Sequence, residues 1–76
     1  MKQPDKLPEI GTKLKTHDKL ESENGLMVHP RHLANRKTST ECVYLGHVPG
    51  HGGDVWWCEH EAGKVAAYSF TEVEFV

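Results

Sequence analysis

Apolar residues recur most densely near the end of the chain, in two runs with the composition of β-strands. Val55 to Glu59 and Val65 to Phe70 are rich in β-branched and aromatic residues, which suit a pleated, half-buried surface. Between them lie His60, Glu61, Ala62 and Gly63. Gly63 is free to take the positive φ that closes a short hairpin loop. Glu59 and Lys64 flank the turn with opposite charge. A bulge at Gly63 puts Trp56, Cys58, Ala66, Tyr68 and Phe70 on one face and Val55, Trp57, Val65 and Ala67 on the other. Apolar side chains therefore point to both sides of the ribbon, whereas a sheet wetted on one side alternates more cleanly. The pattern predicts a strongly curved barrel whose loops cover part of the second face, or a ribbon that lays that face on a partner.

Earlier segments are read in the same way. Gly11 to His17 alternates, with Thr12, Leu14 and Thr16 on one side and Lys13, Lys15 and His17 on the other, which predicts a first strand with one wet face. Asp18 to Gly25 is polar and ends in the turn signal Glu23, Asn24, Gly25. Leu26 to His29 is a short apolar run stopped by Pro30, so a strand end or edge is expected there. Arg31 to Thr40 supports one uncapped helical turn or a long loop. Thr40 to Val48 reads as a strand, with Val43 and Leu45 opposite Cys42 and Tyr44. Pro49 to Gly53 must turn. Thr71 to Glu74 suggests a single 3₁₀ turn capped by Thr71 before Phe75 and Val76. Residues 1–10 carry charge and two prolines without periodicity and are expected to form a flexible arm, leaving 11–76 as one domain.

Four or five short strands, a late hairpin and a one-turn helix near the end predict a mainly β fold, a small SH3-like barrel of about five strands. From Thr40 to Val76, about half of the chain, the succession of strand, glycine-rich turn, Trp56–Trp57 strand, tight turn, Tyr68 strand and Phe70–Phe75 segment resembles the compact, uncharacterised SH3-like domains that occur as short bacterial proteins. The chain lacks the Ala-Leu-Tyr-Asp-Tyr motif, the acidic loop and the last-strand proline of peptide-binding SH3 domains, so proline-rich ligands do not carry over. An OB-like barrel, or a half-barrel that dimerises through a sheet edge, is the competing architecture.

Length narrows the picture further. At 76 residues the chain makes one domain with a thin core, a size that often draws stability from oligomerisation, metal or disulfides. No apolar run approaches the roughly 20 residues of a membrane span, and the first residues lack the apolar core of a signal peptide, so a cytoplasmic location without membrane partners is expected. The two cysteines, Cys42 and Cys58, are too few for a disulfide framework and read as free thiols. Net charge is −2, but residues 1–40 carry eight Lys/Arg against five Asp/Glu, and residues 41–76 one Lys against six. The halves thus stand at about +3 and −5, which predicts either a basic and an acidic side or mutual pairing.

Chemistry-bearing residues are sparse. Six histidines invite zinc, with His29, His32, Cys58 and His60 as candidate ligands, but there is no Cys-x-x-Cys and no helical pair of histidines at i, i+4. Neither a metal nor another cofactor is expected. Both cysteines lie within apolar strands, where thiols are inert, and the domain has little room to enclose a substrate, so no enzyme is predicted. No glycine motif precedes a helix to receive phosphate. Binding to nucleic acid would use Lys13, Lys15, Arg31, Arg36 and Lys37 with stacked aromatics, against an acidic second half that repels phosphate. The leading expectation is a protein-binding or self-associating module, a homo-oligomer in the second case, whose surface is an exposed Trp56, Trp57, Tyr68 and Tyr44.

Overall fold

A computed structural model describes residues 7–21 and 26–76. The chain is mainly β. Its elements are β1 (Lys13–Thr16), a single-turn helix α1 (Pro30–Ala34), β2 (Glu41–His47), β3 (Val55–Glu59), β4 (Val65–Ser69), a 3₁₀ turn (Phe70–Glu72) and β5 (Val73–Phe75). All five strands join one antiparallel sheet in the order β4-β3-β2-β1-β5, leaving β4 and β5 as its two edges. The expected turn at Glu23 to Gly25 and most of the expected N-terminal arm lie outside the described residues. Leu7, at the end of that arm, packs against the core.

The late hairpin forms with the anticipated register. Trp56 pairs with Tyr68, Trp57 with Ala67 and Cys58 with Ala66. The connection turns at Ala62 and Gly63, both in left-handed backbone at φ 63° and 71°. One face of the ribbon joins Leu14, Cys42, Tyr44 and Val73 in the main core, to which it contributes Trp56, Cys58, Ala66 and Tyr68. The Tyr44 and Trp56 rings meet edge to face at 5.2 Å, an arrangement aromatic quadrupoles favour.

The other face builds a second cluster of Leu26, Val48, Val55 and Ala67, with Val28, Leu33 and Trp57 against it. Two local features make it possible. A bulge between Tyr44 and Gly46 shifts the β2–β3 register, so that Val48 pairs its N–H with the Val55 carbonyl at 2.7 Å and joins this side. Gly46 sits there at φ 135°, a conformation that other residues adopt only with strain. The run from Leu26 to His29 is not a strand. Pro30 lacks the N–H a ladder needs and instead opens α1 at its favoured first position. Leu26 turns inward as a cover on the hairpin and is 2% exposed. The helix is not uncapped either, because the His29 imidazole accepts the Arg31 N–H.

Near the end of the chain Ser69, not Thr71, caps the 3₁₀ turn. Its hydroxyl accepts the Thr71 N–H, while the Glu72 carboxylate reaches back to the Ser69 N–H at 2.8 Å. β5 then runs antiparallel to β1, with Leu14 opposite Phe75 and Lys15 opposite Glu74.

Candidate functional site

The two edges of the sheet are finished differently. On β4, the segment after α1 supplies side chains where a neighbouring strand would supply backbone. Asn35 donates from its amide to the Val65 carbonyl at 3.0 Å, with His32 Nδ1 3.2 Å from the same oxygen. Arg36 donates to the Ala67 carbonyl at 2.8 Å. The Arg36 guanidinium also grips the Glu72 carboxylate through both nitrogens, at 3.1 and 2.6 Å, and lies 5.1 Å from the centre of the Tyr68 ring. Both side chains of this ion pair are almost fully enclosed. The β4 carbonyls are thereby satisfied and shielded.

A second polar chain ties the same segment to the core. The Glu41 carbonyl can only accept, so His60 carries its proton on Nδ1, 3.1 Å away. His60 Nε2 then accepts the Tyr68 hydroxyl at 2.6 Å, and the Tyr68 oxygen accepts the Lys37 N–H at 2.8 Å. Burial holds His60 below its usual pKa and raises the Tyr68 phenol to about 12, keeping both neutral at physiological pH. These groups are structural.

β5 has no such cover among the described residues. The His17 N–H bonds the Glu72 carbonyl at 2.9 Å and the Val76 N–H bonds the Lys13 carbonyl at 3.4 Å. By the alternation of an antiparallel ladder, Glu72, Glu74 and Val76 point their backbone groups at β1. The Val73 carbonyl and the N–H and carbonyl of Phe75 turn away, toward the open edge. Phe75 is 58% exposed and Val76 72%, two of the large apolar residues most open to solvent.

The expected aromatic surface is absent. Trp56 and Tyr44 are each 2% exposed and Tyr68 is fully buried. Trp57 is only half-buried, but His32 stands edge-on to it at 4.6 Å and the Leu26–Leu33 cover packs beside it. The physical reason is twofold: Trp56, Tyr44 and Tyr68 lie on the face that packs with Leu14 and Val73 into the main core, and the loop ahead of β2 covers the second face, where Trp57 lies.

The five basic candidates do not form one patch. Lys15 lies in register between Glu41 on β2 and Glu74 on β5, and Lys13 sits two pairs further along, beside Val43. Arg36 is committed to Glu72. Arg31 is exposed on α1, and Lys37 shares a 550 Å³ groove with Lys15, Glu41, Glu61 and His60. Nor do the four zinc candidates converge. Cys58 is fully buried in the core, where its S–H hydrogen-bonds Cys42, lowering the Cys42 pKa and raising its own. Both ring nitrogens of His60 are engaged, His29 caps α1 and His32 lies on it. Among the described residues no group of three or more metal-ligating side chains comes together. No described helix is long and apolar enough to cross a membrane.

Reading the sequence missed β5 as an edge strand. The signal was there in the alternation of Val73, Glu74 and Phe75, but three residues are too few to separate a strand from a closing turn. Comparison with known proteins adds no assignment: no family model, no curated protein and no solved structure matches the chain.

Proposed function

We propose that this chain is a non-catalytic, cytoplasmic protein-interaction module that takes an extended segment of a partner protein onto the free edge of β5. One observation carries the reading. The fold occupies the carbonyls of its β4 edge with three side chains, yet among the described residues nothing covers the β5 edge, which lies beside two exposed apolar residues. Exposed edges invite strand addition, in which main-chain bonds supply affinity and alternate side chains supply selectivity. The five antiparallel strands, the late hairpin and the 3₁₀ turn before the last strand support an SH3-like architecture. The two thiols, free and hydrogen-bonded to each other, suit a reducing compartment.

Self-association through this edge is the weaker choice. The two-fold register that pairs most outward groups sets Val73 against Phe75 of a second copy, which brings Glu74 directly opposite its own counterpart. Like charges in that position are unfavourable. Nucleic acid is disfavoured by the carboxylates that interleave with Lys15.

The test is a peptide-display selection run in parallel on the wild-type chain and on Phe75→Pro. The Phe75 N–H points outward, so proline removes a docking donor while leaving the pairing with β1 intact. Sequences enriched on the wild type and lost on the variant are expected. Equal enrichment on both, or none, would overturn the reading.

A further inference from the structure

The outer face of the sheet next to β5 carries a regular alternation of charge. Glu41, Lys15 and Glu74 stand side by side on three neighbouring strands, each opposite the next in register. The row ends at Glu74, whose side chain is 64% exposed and lies 3.9 Å from His17, on the side away from the free edge. A strand added to β5 continues this row by one position. The residue placed there stands opposite Glu74 in the pair that does not exchange backbone bonds, where side chains lie closest.

The flanking positions differ. Residues opposite Phe75 and Val73 exchange backbone bonds with them and direct their side chains to the other face, beside the exposed Phe75 ring and the apolar end of the main core. Apolar side chains there bury the ring, and polar ones strand it.

We propose, on the footing that β5 is the docking edge, that its ligand is an extended segment with the pattern apolar–basic–apolar, running antiparallel to β5 with the basic residue opposite Glu74. Lys15 enforces the pattern from behind. It stands in register between Glu41 and Glu74 but on the far side of Glu74 from the docked strand, so an incoming cation meets the carboxylate first. An acidic residue at the same position faces Glu74 with no compensating charge between them.

Three synthetic peptides test this, each built on an alternating Thr-Val-X-Val-Thr core with X as Lys, Gln or Glu, titrated into the isotopically labelled full chain and followed through the amide resonances of Val73, Glu74, Phe75 and Val76. The Lys peptide is expected to bind tightest, about two- to fivefold over Gln, and on the order of tenfold over Glu, for a cross-strand charge pair of ordinary strength. The Lys preference should shrink at high salt, since the pair is exposed. On Glu74→Lys the order should invert, and on Glu74→Gln it should flatten; the second variant places no new positive charge beside Lys15.

Peptides that shift the β5 amides with one affinity regardless of X, or a Lys preference that survives Glu74→Lys, would overturn the charge rule while leaving the docking edge standing. If none of the three moves those resonances, the docking reading itself falls, and the charge rule with it.

Discussion

Replacing Arg36 by methionine probes the joint between the loop ahead of β2 and the sheet. Methionine keeps an unbranched apolar stem and removes the guanidinium. Three hydrogen bonds disappear, two to Glu72 and one to the Ala67 carbonyl, together with the contact over the Tyr68 ring. What remains is a carboxylate 4% exposed to solvent that has lost its counter-charge and still accepts the Ser69 N–H. Breaking a buried pair from one side costs about 3–5 kcal/mol, because the surviving charge is left desolvated. A chain of 76 residues has a total stability of about 4–11 kcal/mol, so the variant should be close to unfolding. In urea, with a slope of about 1 kcal/mol/M for a domain this small, the midpoint followed by tryptophan fluorescence should fall by about 3 M or more. Adding Glu72→Gln should return part of the loss, since the amide oxygen still accepts the Ser69 N–H and no charge is stranded. A single variant unfolded in buffer that the second change refolds is the extreme form of the same result. If Arg36→Met lies within about 1 kcal/mol of wild type, or the two changes simply add, the enclosed ion pair does not hold the loop in place.

Two further outcomes follow from the interior. Burial depresses the His60 pKa below its ordinary 6.5, so the unfolded chain binds the extra proton first as pH falls; stability should decline below about pH 6.5 until the folded protein also protonates. Comparing urea midpoints between pH 7 and 5 for wild type and His60→Gln isolates this slope, and parallel curves would refute it. Leu26→Ala should cost about 2–5 kcal/mol by opening a cavity under the cover of the hairpin, and should shift the emission of Trp57 to the red; an unchanged spectrum would mean that Leu26 does not shield that ring.

The sheet was legible where the pattern was local. The hairpin register follows from five adjacent loop residues and two runs of five, and its sorting into faces needed only the period of two. The strand from Lys13 to Thr16 announced itself through Leu14 and Thr16. The burial of the second face was not legible, because it depends on Leu26 and Leu33 returning from a segment with no clear periodicity. The same is true of the polar joints. Arg36 and Glu72 are 36 residues apart in the chain, as are no two residues of a helix turn or hairpin, and nothing in either neighbourhood marks them as partners. Arg36 therefore read as a surface cation and Tyr68 as an exposed ring, although each is part of the interior. The cap at Ser69 was missed by two residues because Thr71 has the same chemistry; what distinguishes them is Glu72, three positions after Ser69 and only one after Thr71.

The three side chains that close off the β4 carbonyls also determine how little of this chain can be cut away. A fragment beginning at Glu41 would retain every residue of the hairpin but lose both the lid over it and β1, the strand that joins β2 to β5, so β4 and β2 would both be left bare and β5 without its partner. Such a piece should precipitate or zip onto its neighbours rather than stand alone. Shortening the protein from the front, however dispensable that stretch looks on paper, replaces a shielded border with indiscriminate ones.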